Sequence, residues 1–285
     1  MTASVRTIGV VGAGAIGRTV CADFVLHGFR VVLVDQAPEQ FDRAREVLTE
    51  AVRFGPAMRP QLPRLDVDEA LAAVECTTDL GRLAGCELVV ENVSEHWPTK
   101  QQLYRLLDEV LAPGTILAVN TSSIPIGKLA AETSRPDAVI GVHFMNPAYA
   151  ITSVEVMRGA ATSEDCLRRT TGILAELGKE AIVVGDFPGF VSNRISHLFF
   201  NEACRVVEEQ GVEPQVVDQI FRKCFGHRMG PLETADLIGL DTVALTLDAL
   251  RENTGDERFR CSDLLRGMVA EGRVGMKSGN GFYRY

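Results

Sequence analysis

The segment Gly12-Ala13-Gly14-Ala15-Ile16-Gly17 constrains this chain more than any other. It reads G-x-G-x-x-G and lies between a β-branched run, Arg6–Val11, and a stretch, Ala15–Gly28, with Ile16, Val20, Phe24 and Leu26 near helical spacing. In that setting the first glycine allows a tight turn, the second lets a pyrophosphate approach the backbone, and the third lets the helix pack on the strand. The helix N-terminus adds unpaired N–H groups and a partial positive charge, so Ala15 and Ile16 join Gly12, Gly14 and Gly17 as candidate cofactor-binding residues. A second apolar run, Arg30–Val34, ends in Asp35. An acid there accepts the ribose hydroxyls and repels a 2'-phosphate, and no arginine follows it at once. The expected cofactor is NAD.

The strand and helix rhythm continues. Apolar runs recur at Leu88–Val90, Ile116–Val119 and Val139–Val142, with a helical stretch at Thr99–Leu111 among them. This alternation predicts an α/β fold with a doubly wound, mainly parallel sheet. The Pro-rich stretch Gly55–Asp66 is expected to break the helix that begins near Pro38. After the run Ala181–Val184 comes a turn cluster, and residues 190–271 then read as several helices with few strand runs. The boundary is therefore drawn at 185, with a nucleotide domain over 1–185 and an all-helical domain over 186–285. Ser192–Gln210 is expected to be a helix with Ile195, Phe199, Ala203 and Val206 on its buried face.

Composition narrows the class. The 285 residues carry a net charge of -9, so the chain lacks the basic excess that duplex nucleic acid binding uses. Five of its 29 basic residues are lysine (Lys100, Lys128, Lys179, Lys223 and Lys277). Seven scattered cysteines without a C-x-x-C pair read as reduced, buried apolar residues, and no metal site is expected. Met1–Arg6 leads into a strand rather than a signal peptide, and no run reaches the ~18 apolar residues of a membrane span. A cytoplasmic protein with no membrane or nucleic acid partner is expected.

Two polar residues stand beside predicted strands. His143 follows Val139–Val142, and Glu155 lies in the apolar triplet VEV. On residue type alone, each reads more simply as a satisfied polar group. Ligands, however, bind at the C-terminal ends of strands in such sheets, and a histidine oriented there by a carboxylate can act as general base toward an alcohol.

Seven segments taken in order are more specific: GVVGAGAIGRTV, VVENVSE, NTSSIPI, GVHFMNPAYAITSVEV, DFPGFVSNRI, MGPLETADLIGLDT and KSGNGFYRY. Through them the chain resembles the L-3-hydroxyacyl-CoA dehydrogenases, including the short 3-hydroxybutyryl-CoA enzymes, over nearly its whole length. The resemblance implies a Rossmann-like NAD domain, a helical domain that makes a homodimer, and a 3-hydroxyacyl thioester as substrate. It implies that His143 is the base and that Glu155 orients it. It further implies that Ser122 hydrogen-bonds the reacting oxygen and that Asn193 holds the cofactor and substrate carbonyl region. Glu95, Lys100 and Asn120 are implied as cofactor-binding residues.

The chain also departs from the family's usual pattern. Ala148–Ser153 replaces an aliphatic, lysine-ending stretch, and VVENVSE replaces an Ala-rich version. Leu198 stands where Pro or Ala is usual. The tail after the second strand carries Arg43, Arg45, Arg53, Arg59 and Arg64 in place of lysines. CoA is the default carrier. An acyl carrier protein, as in the dehydrogenases that make glyceryl-type polyketide extender units, stays open, and so does a non-catalytic NAD-binding protein.

Overall fold

In the computed structural model, which describes residues 6–121 and 124–285, the first apolar run forms β1 (Thr7–Val11) and the glycine turn leads into α1 (Ala15–Leu26). β2 (Arg30–Val34) returns parallel to β1, with Thr7 opposite Arg30 and Val11 opposite Val34. There follow α2 (Glu39–Met58), α3 (Val67–Ala72), β3 (Val74–Thr77), β4 (Leu88–Glu91), α4 (Trp97–Val110) and β5 (Ile116–Val119). Then come α5 (Ile126–Ala130), β6 (Val139–His143), β7 (Ser153–Arg158), α6 (Glu164–Glu176) and β8 (Glu180–Gly185).

Among the described residues, the strands make one sheet in the order β3-β2-β1-β4-β5-β6-β7-β8. Each neighbouring pair is parallel except β6 and β7. Strands β4, β5 and β6 are buried at every position, which is why they read as unbroken apolar runs. The chain leaves β1 toward β2 and β3, then crosses back to β4 on the other side of β1. That reversal creates a crevice beyond the C-terminal ends of β1 and β4, where doubly wound sheets bind ligands.

The chain divides into a first unit that ends at Asp186 and a second, Phe187–Tyr285. The fold class is a Rossmann-like α/β domain followed by an all-helical one. The second unit contains α7 (Ser192–Gln210), α8 (Pro214–Cys224), α9 (Pro231–Ile238), α10 (Leu240–Thr254) and α11 (Asp263–Ala270). Phe200, Cys204, Leu232, Leu240, Leu247 and Phe259 belong to its core. Two buried aspartates fasten its C-terminal tail. Asp218 accepts from Leu232 N, Glu233 N and the Tyr283 hydroxyl at 2.9, 2.9 and 2.6 Å. Asp236 accepts from Phe282 N and Tyr283 N at 3.0 and 2.9 Å.

The helix begun near Pro38 ends inside the Pro-rich stretch, at Met58, as expected, and two other expectations need correction. α2 runs through Pro56 before it stops there. A proline this close to a helix end removes a donor only in the final turn, and Arg59 N still reaches Gly55 O at 2.8 Å. On α7, the buried residues are His197, Phe200, Asn201, Ala203 and Cys204, whereas Ile195 is 63% exposed. Of the four residues expected on the buried face, Ala203 is buried, Phe199 and Val206 pack partly buried against the core, and Ile195 alone points away from it. Finally, Cys224 is exposed and Cys76 half-buried, although all seven cysteines were expected inside; Cys224 ends α8, beyond the residues of that helix that reach the core.

Among the described residues, no helix is long and apolar enough to cross a membrane, and no cluster of His, Cys, Asp and Glu is arranged to hold a metal ion.

Candidate active site

The glycine turn has the shape its sequence requires. Gly12 has φ +92°, and a Cβ there would lie 2.9 Å from the Asn92 backbone. A Cβ on Gly17 would lie 1.9 Å from Gly12 O, so helix and turn can close only on glycine. Space over Gly14 is open, with nothing within 4 Å of where its Cβ would be. α1 has no side-chain cap and no acid in its first turn, which leaves its terminal N–H groups at Ala15 and Ile16 facing that space. These residues fit a dinucleotide pyrophosphate.

Beside the turn lies a cavity of about 590 Å³, lined by residues that include Gly12, Gly14, Asp35, Asn92, Ser94 and Leu103. Asp35 Oδ2 accepts from Ala13 N at 2.6 Å and Oδ1 from Ala37 N at 2.9 Å. The carboxylate is thereby fixed at the end of β2, where the ribose is expected.

Lys100 occupies a different place from the open cleft. It is fully buried, with Nζ 2.9 and 2.7 Å from the two Glu91 oxygens and 3.6 Å from Glu95 Oε2. Tyr104 donates to Glu91 at 3.1 Å, and Val93 N donates to it at 2.6 Å. Burial pushes the Glu91 carboxyl above the ordinary carboxylate range, while Lys100, Val93 N and Tyr104 pull the other way. Glu95 also accepts from the Thr121 hydroxyl and from Ile124 N. Lys100 therefore meets Glu91 and Glu95 and does not line the cavity.

Asn120 lies at the end of β5 and links two strands. Its Nδ2 donates to Asn92 Oδ1 at 2.8 Å, and its Oδ1 accepts from Phe144 N at 3.2 Å. A continuous hydrogen-bonded path thus runs from the wall of the cavity to the residue after His143. Neither Glu91 nor Asn92 was anticipated as part of the site. The available signal was polar residues closing an otherwise apolar run in VVENVSE.

His143 ends β6 and Glu155 is the third residue of β7. The antiparallel register sets them opposite each other, with Nδ1 3.3 Å from Glu155 Oε2. Both are more than nine-tenths buried. A carboxylate on Nδ1 leaves Nε2 as the nitrogen that can take a substrate proton. Asn193 is the second residue of α7, in the second unit. Ser122 lies outside the described residues.

Of the arginines expected near a carrier, Arg59 is buried, and its Nη2 donates to Leu177 O and Gly178 O at 2.9 and 2.8 Å. Arg45 pairs with Asp42 at 2.9 Å. Arg43, Arg53 and Arg64 are exposed.

A glycine turn at the switch point of such a sheet, with an acid closing β2, defines a dinucleotide-binding dehydrogenase fold, and the His143–Glu155 pair adds an acid–base group on the same sheet. Residues 7–187 match the family model described as 3-hydroxyacyl-CoA dehydrogenase, NAD binding domain, and residues 189–285 match the C-terminal domain of the same family. The chain belongs to the 3-hydroxyacyl-CoA dehydrogenase family. It is 42% identical over 278 residues to a probable 3-hydroxybutyryl-CoA dehydrogenase of Deinococcus radiodurans, covering 97% of this chain and 99% of that one. It is 36% identical to a 3-hydroxybutyryl-CoA dehydrogenase of Bradyrhizobium diazoefficiens, covering 100% and 97%. Among solved structures, Mycobacterium tuberculosis FadB2 superposes with a TM-score of 0.93 at 34% identity, covering 99% of each chain. A (S)-3-hydroxybutyryl-CoA dehydrogenase from Ralstonia eutropha gives 0.91 at 35% identity, again covering 99% of each chain.

Proposed function

We propose that the chain interconverts 3-hydroxyacyl-CoA and 3-oxoacyl-CoA using NAD, with His143 as general base. The observation that carries this reading is the His143–Glu155 pair at 3.3 Å, joined through Asn120 to the cavity beside the glycine turn. Oxidising a secondary alcohol removes a proton from oxygen and a hydride from carbon. NAD, when bound, supplies the hydride acceptor. Gly12, Gly14, Gly17 and the α1 N-terminus hold the pyrophosphate, and Asp35 holds the ribose. His143 Nε2 takes the hydroxyl proton, and Glu155 stabilises the imidazolium that forms. Ser122 positions the reacting oxygen, and Asn193 holds the cofactor and the thioester carbonyl region. Short acyl chains are the first substrates to test, given the names of the relatives. The helical unit forms the homodimer.

Turnover of 3-hydroxybutyryl-CoA with NAD tests the reaction, and mutation tests the roles. His143→Ala is expected to lower kcat by roughly 10² to 10⁴, the usual worth of a positioned base. Glu155→Gln is expected to lower kcat more than it raises KM, because the carboxylate acts on a charge that develops during reaction. Wild-type turnover in either variant, with chemistry rate-limiting, would remove the pair from the mechanism. The same acyl group on an acyl carrier protein is the control for the carrier, since the exposed Arg43, Arg53 and Arg64 suit a phosphate on either one. A tenfold preference for CoA, about 1.4 kcal/mol, settles it in favour of CoA.

A further inference from the structure

Lys179 and Asp23 take no part in the chemistry above, yet both are buried at the junction of α1 with the segment that follows His143. Asp23 is fully buried on the third turn of α1, among Val20, Phe24 and Leu26. The Lys179 ammonium has three donors and faces three acceptors: Asp23 Oδ2 at 2.8 Å, Ala148 O at 2.6 Å and Ile151 O at 2.5 Å. The contact with Asp23 joins opposite charges inside the protein. His27 Nδ1 lies 3.4 Å from Asp23 Oδ1. One turn earlier on the same face of α1, the Thr19 hydroxyl accepts from Ala148 N at 3.1 Å. Arg59 braces the approach to Lys179 through Leu177 O and Gly178 O.

A buried pair of this kind is a weak stabiliser compared with apolar residues of the same volume. What it supplies is direction. It fixes two carbonyls of an irregular segment to the helix whose N-terminus receives the cofactor phosphates. That segment, 144–152, joins the end of β6 at His143 to the start of β7, which carries Glu155. Burial holds the Lys179 ammonium below the usual lysine range; the Asp23 charge opposes this and the Arg59 charge adds to it.

We infer that Asp23, Lys179 and Thr19 are positioning residues that tie the phosphate-binding helix to the 144–152 segment and so set His143 and Glu155 against the bound cofactor. This rests on the dehydrogenase reading above. The test compares wild type with the double variant Asp23→Val/Lys179→Met, which removes both charges, and with Thr19→Val, which cuts the milder link and keeps the charges. Three quantities are measured: kcat on 3-hydroxybutyryl-CoA, NADH affinity by fluorescence, and amide exchange of the 144–152 peptide by mass spectrometry.

The expected result is a fall in kcat of roughly tenfold or more in the double variant and a smaller fall in Thr19→Val, since displacements of about 1 Å can cost as much as 10²-fold. NADH affinity stays within about threefold, and exchange at 144–152 quickens while the β1–α1 peptide is unchanged. Wild-type kcat and exchange in the variants would overturn the inference, as would equal losses of kcat and NADH affinity. If the double variant does not fold, Thr19→Val decides. Absence of wild-type turnover would count against the dehydrogenase reading alone, because the exchange measurement still reports whether the three residues hold the segment.

Discussion

Replacing Lys100 with methionine probes the charges beneath the cofactor cleft. Nζ sits within 2.9 Å of both Glu91 oxygens and 3.6 Å from Glu95, and no part of the side chain reaches solvent. Methionine nearly matches its volume, so the packing loss is small and the main effect is to leave two carboxylates without their cation. Breaking a buried pair from one side costs about 3–5 kcal/mol, because the remaining charge has no compensation. At about 2–4 °C per kcal/mol, the transition of the first unit should fall by about 6–20 °C. The pH dependence has a definite sign. Burial already raises the Glu91 carboxyl, and loss of Lys100 raises it further. A carboxyl whose folded pKa exceeds its unfolded one stabilises the fold while protonated and loses that contribution as pH rises through the folded pKa. The deficit of K100M should therefore grow between about pH 5 and about pH 8, and Glu91→Gln added to it should flatten the trend. Thermal melts of the three proteins across that range are the assay. A deficit below about 1 kcal/mol, or one equal at both ends, would refute the reasoning.

Two further outcomes follow from the same structure. Because Asp35 is fixed by Ala13 N and Ala37 N where the ribose is expected, kcat/KM should favour NAD over NADP by at least about tenfold, and Asp35→Ala should narrow that preference; equal use of NADP by the wild type would contradict it. Light scattering at micromolar concentration should give twice the 31.0 kDa chain mass, and a mass near 31.0 kDa would exclude the homodimer.

The parts of the fold that could be read in advance are those where one residue type answers one backbone demand. Gly17 admits the contact with Gly12 O, and the doubly buried β4, β5 and β6 appear as plain apolar runs. β3 and β8 lie at the two edges of the sheet and are only partly buried; β3 (VECT) carries no apolar run to announce it. α7 shows the other limit. Its apolar residues occupy more than one side, so spacing alone does not say whether Ile195 or Phe200 faces the core.

The site was legible to a similar degree and for a related reason. His143 and Glu155 can be paired only once β6 and β7 are known to run antiparallel with those two residues in register, and residue type did not require it. The resemblance to a family supplied the pairing that local chemistry could not. Contacts that depend on three-dimensional register were invisible throughout. Asn92 reaches Asn120 across neighbouring strands, and Lys179 reaches Asp23 from the far end of the first unit. Yet Asp23 had left a trace, as a carboxylate inside the apolar run Val20–Leu26. An ionised carboxylate buried alone would be strongly disfavoured, so a polar residue on a core face implies a partner somewhere in the chain. That partner is Lys179, one of five lysines in the chain, whose Nζ lies 2.8 Å from Asp23 Oδ2.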